Sequence, residues 1–208
     1  LLAYSTVVGD ASDVLTGTAF EVLDYALLSA PGAPLKQALL DAQIGMDVYG
    51  SYDDGIMQPY FDIVAKGTDP DKKEKFVEII RTTLEDIAAN GIDRKALDAG
   101  INCMEFRYRE ADFSSWPKGL MYSLAVFGNW LYSDEKAFAQ VQALPVFEKL
   151  KELAGQGYFE ELIRKYLLDY THGSVITLVP SKGLAARKEK ALEEKLQAHL
   201  ESLSQEEK

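Results

Sequence analysis

Thiols and imidazoles are scarce in this sequence. Its 208 residues include one cysteine, Cys103, and two histidines, His172 and His199. A single thiol forms neither an internal disulfide nor a cysteine-based zinc site, so we expect a reducing, intracellular compartment. The two histidines lie far apart and the pattern H-x-x-E-H is absent, so spacing alone predicts no metal site.

Positive charge and long apolar runs are also lacking. The 22 Lys and Arg residues are outnumbered by 33 Asp and Glu residues, for a net charge of -11. Nucleic-acid binding needs a cationic footprint, so we expect no nucleic-acid partner. No apolar run approaches the roughly 20 residues that span a bilayer, so we expect no membrane partner. An acidic surface instead favours solubility or attracts basic partners.

The start of the chain, LLAYSTVVGD, has no initiator Met and none of the features of a signal peptide. It is typical of a strand, and we expect the chain to be a piece of a larger protein. Surface normally covered by neighbouring domains would favour some self-association of the isolated chain.

The strongest structural signal is the stretch 44–66, IGMDVYGSYDDGIMQPYFDIVAK. Apolar residues alternate along 44–52 and again along 57–65, and Asp53-Asp54-Gly55 lies between the two runs. Asp-Gly between alternating apolar runs predicts a β-hairpin with a tight turn. A hairpin with one apolar face is stable only when helices or further strands cover it.

Amphipathic helices are predicted on both sides of this hairpin. Helical apolar spacing occurs near 15–26, 35–43, 70–90, 94–110, 144–154 and 158–170, and β-branched runs predict strands at 2–8 and 174–179. The segment 120–132 is apolar nearly all round, which predicts a buried helix. The predicted fold class is therefore α+β, with a mainly antiparallel sheet covered by helices.

The last part, residues 185–208, differs from the rest. It is rich in Lys, Glu and Gln, and its leucines form a narrow stripe on an otherwise charged helix: Leu192, Leu196, Leu200 and Leu203. Such a helix needs a partner surface. We interpret it as the start of a linker into a further region, with a solvated tail helix as the alternative.

The remaining candidate residues each have a structural interpretation beside the chemical one. His172 follows a predicted helix, whose dipole favours a cation there, and no Ser or Cys nucleophile motif accompanies it. Cys103 falls on the apolar side of a helix, so we expect packing rather than reactivity. His199 lies in the charged tail, where we expect it to be solvated. Four acidic residues lie where turns and helix caps belong: Asp10, Asp13, Asp53 and Asp54.

Several long strings resemble the presequence protease group of the pitrilysin/insulinase-type zinc metallopeptidases. They are FEVLDYALLSAPGAPLKQALLDAQIGMDVYGSYDDGIMQPYFDIVAKG, GINCMEFRYREADFSSWPKGLMY, and GYFEELIRKYLLDYTH followed by a strand and PSKGLAARKE. The match runs through nearly all of residues 3–190 in consistent order. It is specific because several long segments agree, rather than one short motif.

The resemblance implies a pitrilysin/LuxS-like metallohydrolase fold. Members of this group resemble one another in having homologous α+β domains in two halves, which a helical hinge joins and which close around an unfolded peptide. Zinc is held in the first domain by H-x-x-E-H and a distal Glu. This chain resembles the second domain, which implies a degenerate, non-catalytic domain at 1–184 and the charged helical start of the hinge at 185–208.

The zinc motif is not preserved in this chain. By its place after the first strand, the motif falls on FEVLD, with Phe20 and Asp24 at the histidine positions and Leu23 at that of the catalytic Glu. Phe and Leu do not ligate zinc, and a lone Asp does not hold it. We therefore predict no catalytic, cofactor-binding or metal residue in this chain, with zinc in the catalytic domain of the parent protein.

The predicted function is that of a non-catalytic structural domain of a zinc metalloendopeptidase that degrades unfolded peptides. The predicted partners are the catalytic domain, the second half of the same parent chain, and peptide substrates. Alternatives are a stand-alone inactive binding or assembly module, and an unrelated hydrolase that uses Cys103 or His172. The predicted location is the bacterial cytoplasm, with the mitochondrial matrix or another organelle as the alternative.

Overall fold

A four-stranded antiparallel sheet forms the centre of the fold. The computed structural model describes residues 1–111 and 113–204. Within these ranges the strands are β1 (Leu2–Val7), β2 (Asp47–Asp53), β3 (Tyr60–Lys66) and β4 (Gly173–Thr177), in the order β2-β3-β1-β4. Every pairing in this sheet is antiparallel. The predicted α+β class with a mainly antiparallel sheet is therefore confirmed.

Helices make up most of the remaining described chain. They are α1 (Val14–Asp24), α2 (Pro34–Asp41), α3 (Lys73–Asn90), α4 (Arg94–Glu110), α5 (Lys118–Trp130), α6 (Leu144–Leu153), α7 (Tyr158–Leu162) and α8 (Leu184–Ser202). Single π-helical turns continue α1 (Tyr25–Ser29) and α7 (Ile163–Leu168), and 3-10 turns precede α3 (Pro70–Lys72) and α6 (Gln140–Gln142). No helix in the described residues is long and apolar enough to cross a membrane.

The chain divides into two compact units, Leu1–Thr177 and Leu178–Lys208. The first unit holds the sheet and α1 to α7, and the second holds α8. Along α8 the apolar stripe is about half exposed, at Leu192 (56%), Leu196 (57%) and Leu200 (49%). The division into a domain at 1–184 and the start of a hinge at 185–208 stays a prediction.

The hydrophobic core of the first unit lies between one face of the sheet and the helices. Alternate strand residues point into it, and Tyr4 of β1 and Ile63 of β3, which pair directly, are at most 1% exposed. Helices α1 and α2 contact β2, and α3 contacts β1. The Tyr4 hydroxyl donates a hydrogen bond to the Leu167 carbonyl oxygen over 2.8 Å, so this buried phenol has a partner.

The hairpin of β2 and β3 is confirmed, but its predicted tight turn is wrong. The antiparallel ladder ends at the pair Asp53 and Tyr60, so the connection runs over 54–59. Pro59 has no N–H to continue the ladder. The carbonyl oxygens of Pro59 and Met57 accept hydrogen bonds from the segment that follows β1. These bonds hold a wide loop in place of the turn.

The predicted burial of residues 120–132 is also wrong. Helix α5 forms, but Asn129 is its one buried residue among those described. One side of α5 contacts the turn at Gln140–Gln142, whereas Leu124 and Phe127 are 55% and 53% exposed. An apolar pattern all round a helix predicts burial only if elements cover both of its sides. The described part of the chain leaves the outer side of α5 open.

Candidate functional site

Helix α1 carries the positions onto which the zinc motif falls. It follows β1 and begins after Asp13, whose carboxylate accepts hydrogen bonds from the N–H (3.1 Å) and the hydroxyl (2.7 Å) of Thr16. Asp10 instead accepts from the N–H and hydroxyl of Ser12, in the turn before the helix. Because the Asp13 cap fixes the start of α1, it also fixes which of its residues meet the sheet.

Phe20 is fully buried at the centre of an aromatic cluster. Its ring centroid lies 6.1 Å from that of Tyr52, 5.6 Å from Phe61 and 5.8 Å from Tyr166. Such separations fall within the range of about 4.5–7 Å that is favourable for aromatic pairs. The first histidine position of the zinc motif is therefore filled by a ring that joins α1 to β2, to β3 and to the turn after α7.

The other two motif positions are equally unsuited to zinc chemistry. Leu23 is fully buried. Asp24 accepts a hydrogen bond from the Ser29 hydroxyl over 3.2 Å, while its Oδ1 is buried without a hydrogen-bond partner. Burial raises the pKa of Asp24, and the Ser29 hydrogen bond acts in the opposite direction. A Cβ at position 50 would overlap Asp24 Oδ1 and Leu28 Cδ1, so Gly50 is what allows this carboxylate to lie against β2.

These residues do not fit a catalytic zinc ion. Such an ion takes about three N or O ligands from the protein and keeps a position for water. Helix α1 offers one carboxylate and two apolar side chains at the motif positions. Across residues 1–111 and 113–204, no group of three or more His, Cys, Asp or Glu is placed to hold a metal ion. That the chain has no site residue at all stays a prediction.

The structure does not bring Cys103 and His172 together as nucleophile and base. His172 is exposed just before β4, and its carbonyl oxygen accepts a hydrogen bond from the Val7 N–H over 3.0 Å. Neither of the two surface cavities that His172 lines includes Cys103. Cys103 is half-buried in α4, and His199 is exposed on α8.

Asp53 and Asp54 organise the loop between β2 and β3. The Asp53 carboxylate accepts hydrogen bonds from the Gly55 N–H and the Tyr60 hydroxyl, each over 2.9 Å. Asp54 accepts from the side-chain amide of Gln140 over 2.9 Å, which links the loop to the turn before α6. The two carboxylates thus have separate partners, as turn-forming residues do.

A cavity of about 300 Å³ lies beneath α5. Its walls come mainly from α1, α4, α5, the turn before α6 and α6 itself, and they are mainly apolar apart from Glu21, Arg107 and Gln140. Glu21 is an exposed residue, although neighbouring atoms crowd its carboxyl group, and this desolvation raises its pKa to about 7. Asp54 raises this pKa further, whereas Arg107 lowers it. Sequence reasoning missed this cavity because it treated α5 as a buried core helix.

Glu105 is the centre of an ion-pair network that sequence reasoning also missed. It is 8% exposed, and its carboxylate accepts from Arg109 Nε over 2.7 Å and pairs with Lys151 Nζ of α6 over 2.7 Å. Hydrogen bonds from Lys151 and Arg109 lower the pKa of Glu105. The i, i+4 spacing of Glu105 and Arg109 is a signal that the sequence does contain, whereas nothing local points to Lys151.

Comparison with known proteins links this arrangement to one family. Residues 2–103 match the family described as the peptidase M16 inactive domain. Protein HypA of Clostridium perfringens is 40% identical over 191 residues, covering 92% of this chain and 20% of HypA. Presequence protease 1, chloroplastic/mitochondrial, of Arabidopsis thaliana is 31% identical over 182 residues, covering 85% of this chain and 17% of the protease. The chain therefore spans about a fifth of the length of these curated relatives.

Solved structures share the fold at low sequence identity. The inactive peptidase domain of a candidate zinc protease from Bordetella parapertussis has a TM-score of 0.61 at 13% identity, covering 88% of this chain and 94% of that structure. A protease from Helicobacter pylori has a TM-score of 0.58 at 17% identity, covering 86% of this chain and 41% of that one. At these identities the likeness shows the fold alone.

The family match agrees with what the side chains of α1 display. The fold is that of a peptidase domain, and the motif positions hold a buried Phe20, a buried Leu23 and a single carboxylate, Asp24. Residues 2–103 of the chain therefore match the inactive domain of the M16 peptidase family, and the chain is similar to presequence proteases over most of its length.

Proposed function

We propose that the chain is the non-catalytic second domain in the N-terminal half of a zinc metalloendopeptidase that degrades unfolded peptides. In this proposal it packs on the catalytic domain and forms part of the wall of a peptide chamber. The observation that carries the proposal is the conversion of the zinc-motif positions into core, with Phe20 and Leu23 fully buried. The presequence proteases among its relatives support the same assignment.

The lengths of the relatives support a parent polypeptide that is longer than this chain. In HypA and in presequence protease 1 the matched segment is 20% and 17% of the protein. We infer that the other domains of the parent supply the zinc ligands, the catalytic Glu and the second half of the chamber. In this proposal α8 is the first helix of the hinge.

Zinc analysis of the parent and of this chain tests the proposal. The parent is expected to bind zinc stoichiometrically and to lose peptide hydrolysis when the metal is chelated. The 208-residue chain alone is expected to bind no zinc and to hydrolyse no peptide. As a control, Phe20→Leu in the parent should keep its zinc content, because position 20 is not a ligand. Tight stoichiometric zinc on the isolated chain would refute the proposal, and a parent without H-x-x-E-H would favour the stand-alone module.

The acidic surface supports a secondary proposal about substrates. With a net charge of -11, this domain would raise the local concentration of basic peptides at the chamber. The parent should therefore cleave a basic peptide faster than an acidic peptide of matched length, and added salt should reduce the difference. Equal and salt-independent cleavage of the two peptides would contradict this secondary proposal.

The cellular location is proposed from the relatives. The bacterial HypA is 40% identical, which supports a bacterial source for the parent, and we propose the cytoplasm as its compartment. Other relatives are named as chloroplast or mitochondrial proteins, so an organelle is the alternative location. Fractionation of the source cells, followed by detection of the parent, distinguishes the two.

A further inference from the structure

Helix α5 presents apolar side chains on two opposite sides. One side lines the cavity through Met121, Tyr122 and Ala125. The other side carries Leu120, Leu124, Phe127 and Leu131; with Trp116, which lies just before the helix, they are here called the outer stripe. From Leu120 onward the spacing of four, three and four residues places the stripe on one face of a helix with about 3.6 residues per turn. The exposed fractions of the five residues run from 45% to 74%.

The outer stripe is large for the surface of a monomer. A large apolar side chain presents roughly 200 Å² when fully accessible, so five at these exposures present about 600 Å². This is at the top of the roughly 300–600 Å² of the largest apolar patch on a typical monomer. Trp130, 51% exposed and stacked on Phe127 with a centroid distance of 5.9 Å, extends it further. One partner of a standard protein–protein interface contributes about 800 Å².

The composition around the outer stripe is that of an interface centre. From 113 to 132 the single charged residue is Lys118, in a chain where 26% of residues are charged. A solvated surface helix carries a polar or charged face, and the outer side of α5 has none. Aromatic enrichment with depletion of charge is typical of the buried centre of protein–protein interfaces.

We propose that another domain of the parent polypeptide covers the outer stripe with an apolar groove or helix face. This inference rests on the part of the proposed function that places the chain in a longer polypeptide. In the relatives, about four fifths of the polypeptide lies outside the matched segment and is available as that cover. Linked domains meet at high effective concentration. A second copy is less suitable, because two chains of net charge -11 repel each other.

Hydroxyl-radical footprinting of the parent polypeptide tests this inference. If the outer stripe is covered, Trp116 and Phe127 should be labelled several-fold more slowly than their exposed fractions here, 62% and 53%, predict. Leu124→Lys in the parent places a charge in the interface, so it should raise the labelling of both residues several-fold. Met57→Lys is the matched control, because Met57 is also 55% exposed but lies in the loop after β2. It should leave the labelling of the stripe unchanged.

Three outcomes would overturn the inference. The first is labelling of Trp116 and Phe127 in the wild-type parent at the rate of free side chains. The second is a natural polypeptide no longer than this chain. The third is a concentration-dependent dimer of the parent that Leu124→Lys dissociates in sedimentation experiments, which assigns the stripe to a second copy. Footprinting needs neither zinc nor hydrolysis, so a protected stripe in a zinc-free parent supports this inference while refuting the proposed enzyme.

Discussion

The replacement Phe20→Ala tests whether the position onto which the zinc motif falls serves the hydrophobic core. Phe20 is fully buried, and its ring contacts three aromatic rings from three different elements. Truncation to Ala removes these contacts and leaves a cavity. If position 20 had a role in metal binding instead, the same truncation would lower the metal content and leave the free energy of unfolding nearly unchanged.

The expected loss of stability is large. Removal of a buried Phe side chain costs about 3–5 kcal/mol, depending on how far the surroundings collapse. Phe20 belongs in the upper half of that range, because each aromatic pair contributes about 0.5–1.5 kcal/mol beyond its buried area. A domain is stable by about 5–15 kcal/mol, so the variant should lose roughly a quarter or more of its stability. Phe20→Leu keeps most of the volume and should lose about 1.5 kcal/mol.

Urea unfolding of the 208-residue chain, followed by circular dichroism, measures these differences. Phe138→Ala is the matched control, because Phe138 is 59% exposed and its truncation should change stability by no more than about 0.5 kcal/mol. Zinc added to wild type or variant should not shift the midpoint. A loss below about 1 kcal/mol for Phe20→Ala, or a zinc-dependent midpoint in wild type, would show that the reasoning about this position is wrong.

Three further predictions concern groups near the site. Glu105→Gln should destabilise the chain by about 1 kcal/mol near neutral pH, because its partners Arg109 and Lys151 stay solvated. Because the pKa of Glu105 is depressed, this loss of stability should shrink as the pH falls, and a loss that persists in acid would contradict the prediction. Because the pKa of Glu21 is raised, the wild type should lose stability relative to Glu21→Gln as the pH rises from 4.5 to about 7. Thermal unfolding measures this, and a stability difference that does not change with pH would refute it. Gly50→Ala should destabilise the chain, because the added Cβ overlaps Asp24. Gly128→Ala has open space at its Cβ and should stabilise the helix by up to about 1 kcal/mol. Equal effects of the two variants in urea unfolding would contradict this prediction.

Local patterns in the sequence were sufficient for most elements of the fold. Alternation predicted β2 and β3. Among the predicted caps, Asp13 accepts from the Thr16 N–H over 3.1 Å, as a helix cap should. The prediction of a tight turn after β2 was wrong, because the conformation of this loop depends on hydrogen bonds to the segment after β1, which is distant in sequence. The prediction that α5 is buried was wrong, because an apolar pattern shows which side chains favour burial but does not show whether this chain supplies the elements that cover them.

The candidate site divides in the same way. That positions 20 and 23 supply no zinc ligand follows from residue types alone, since Phe20 and Leu23 have no metal-binding atoms. That Phe20 joins three elements depends on tertiary packing, and so does the approach of Asp24 to β2. The pairing of Glu105 with Lys151 joins residues that are far apart in the chain, and no local periodicity reports such a contact.

The position of β1 at the middle of the sheet has a consequence for synthesis of the protein. One edge of β1 pairs with β3, but the other pairs with β4, which ends at Thr177, far along the chain. A ribosome must therefore release nearly the whole first unit before this central strand has both neighbours, and an open strand edge favours pairing with other nascent chains. A premature stop anywhere before Gly173 should yield aggregates that occupy chaperones and proteases, instead of a smaller stable domain.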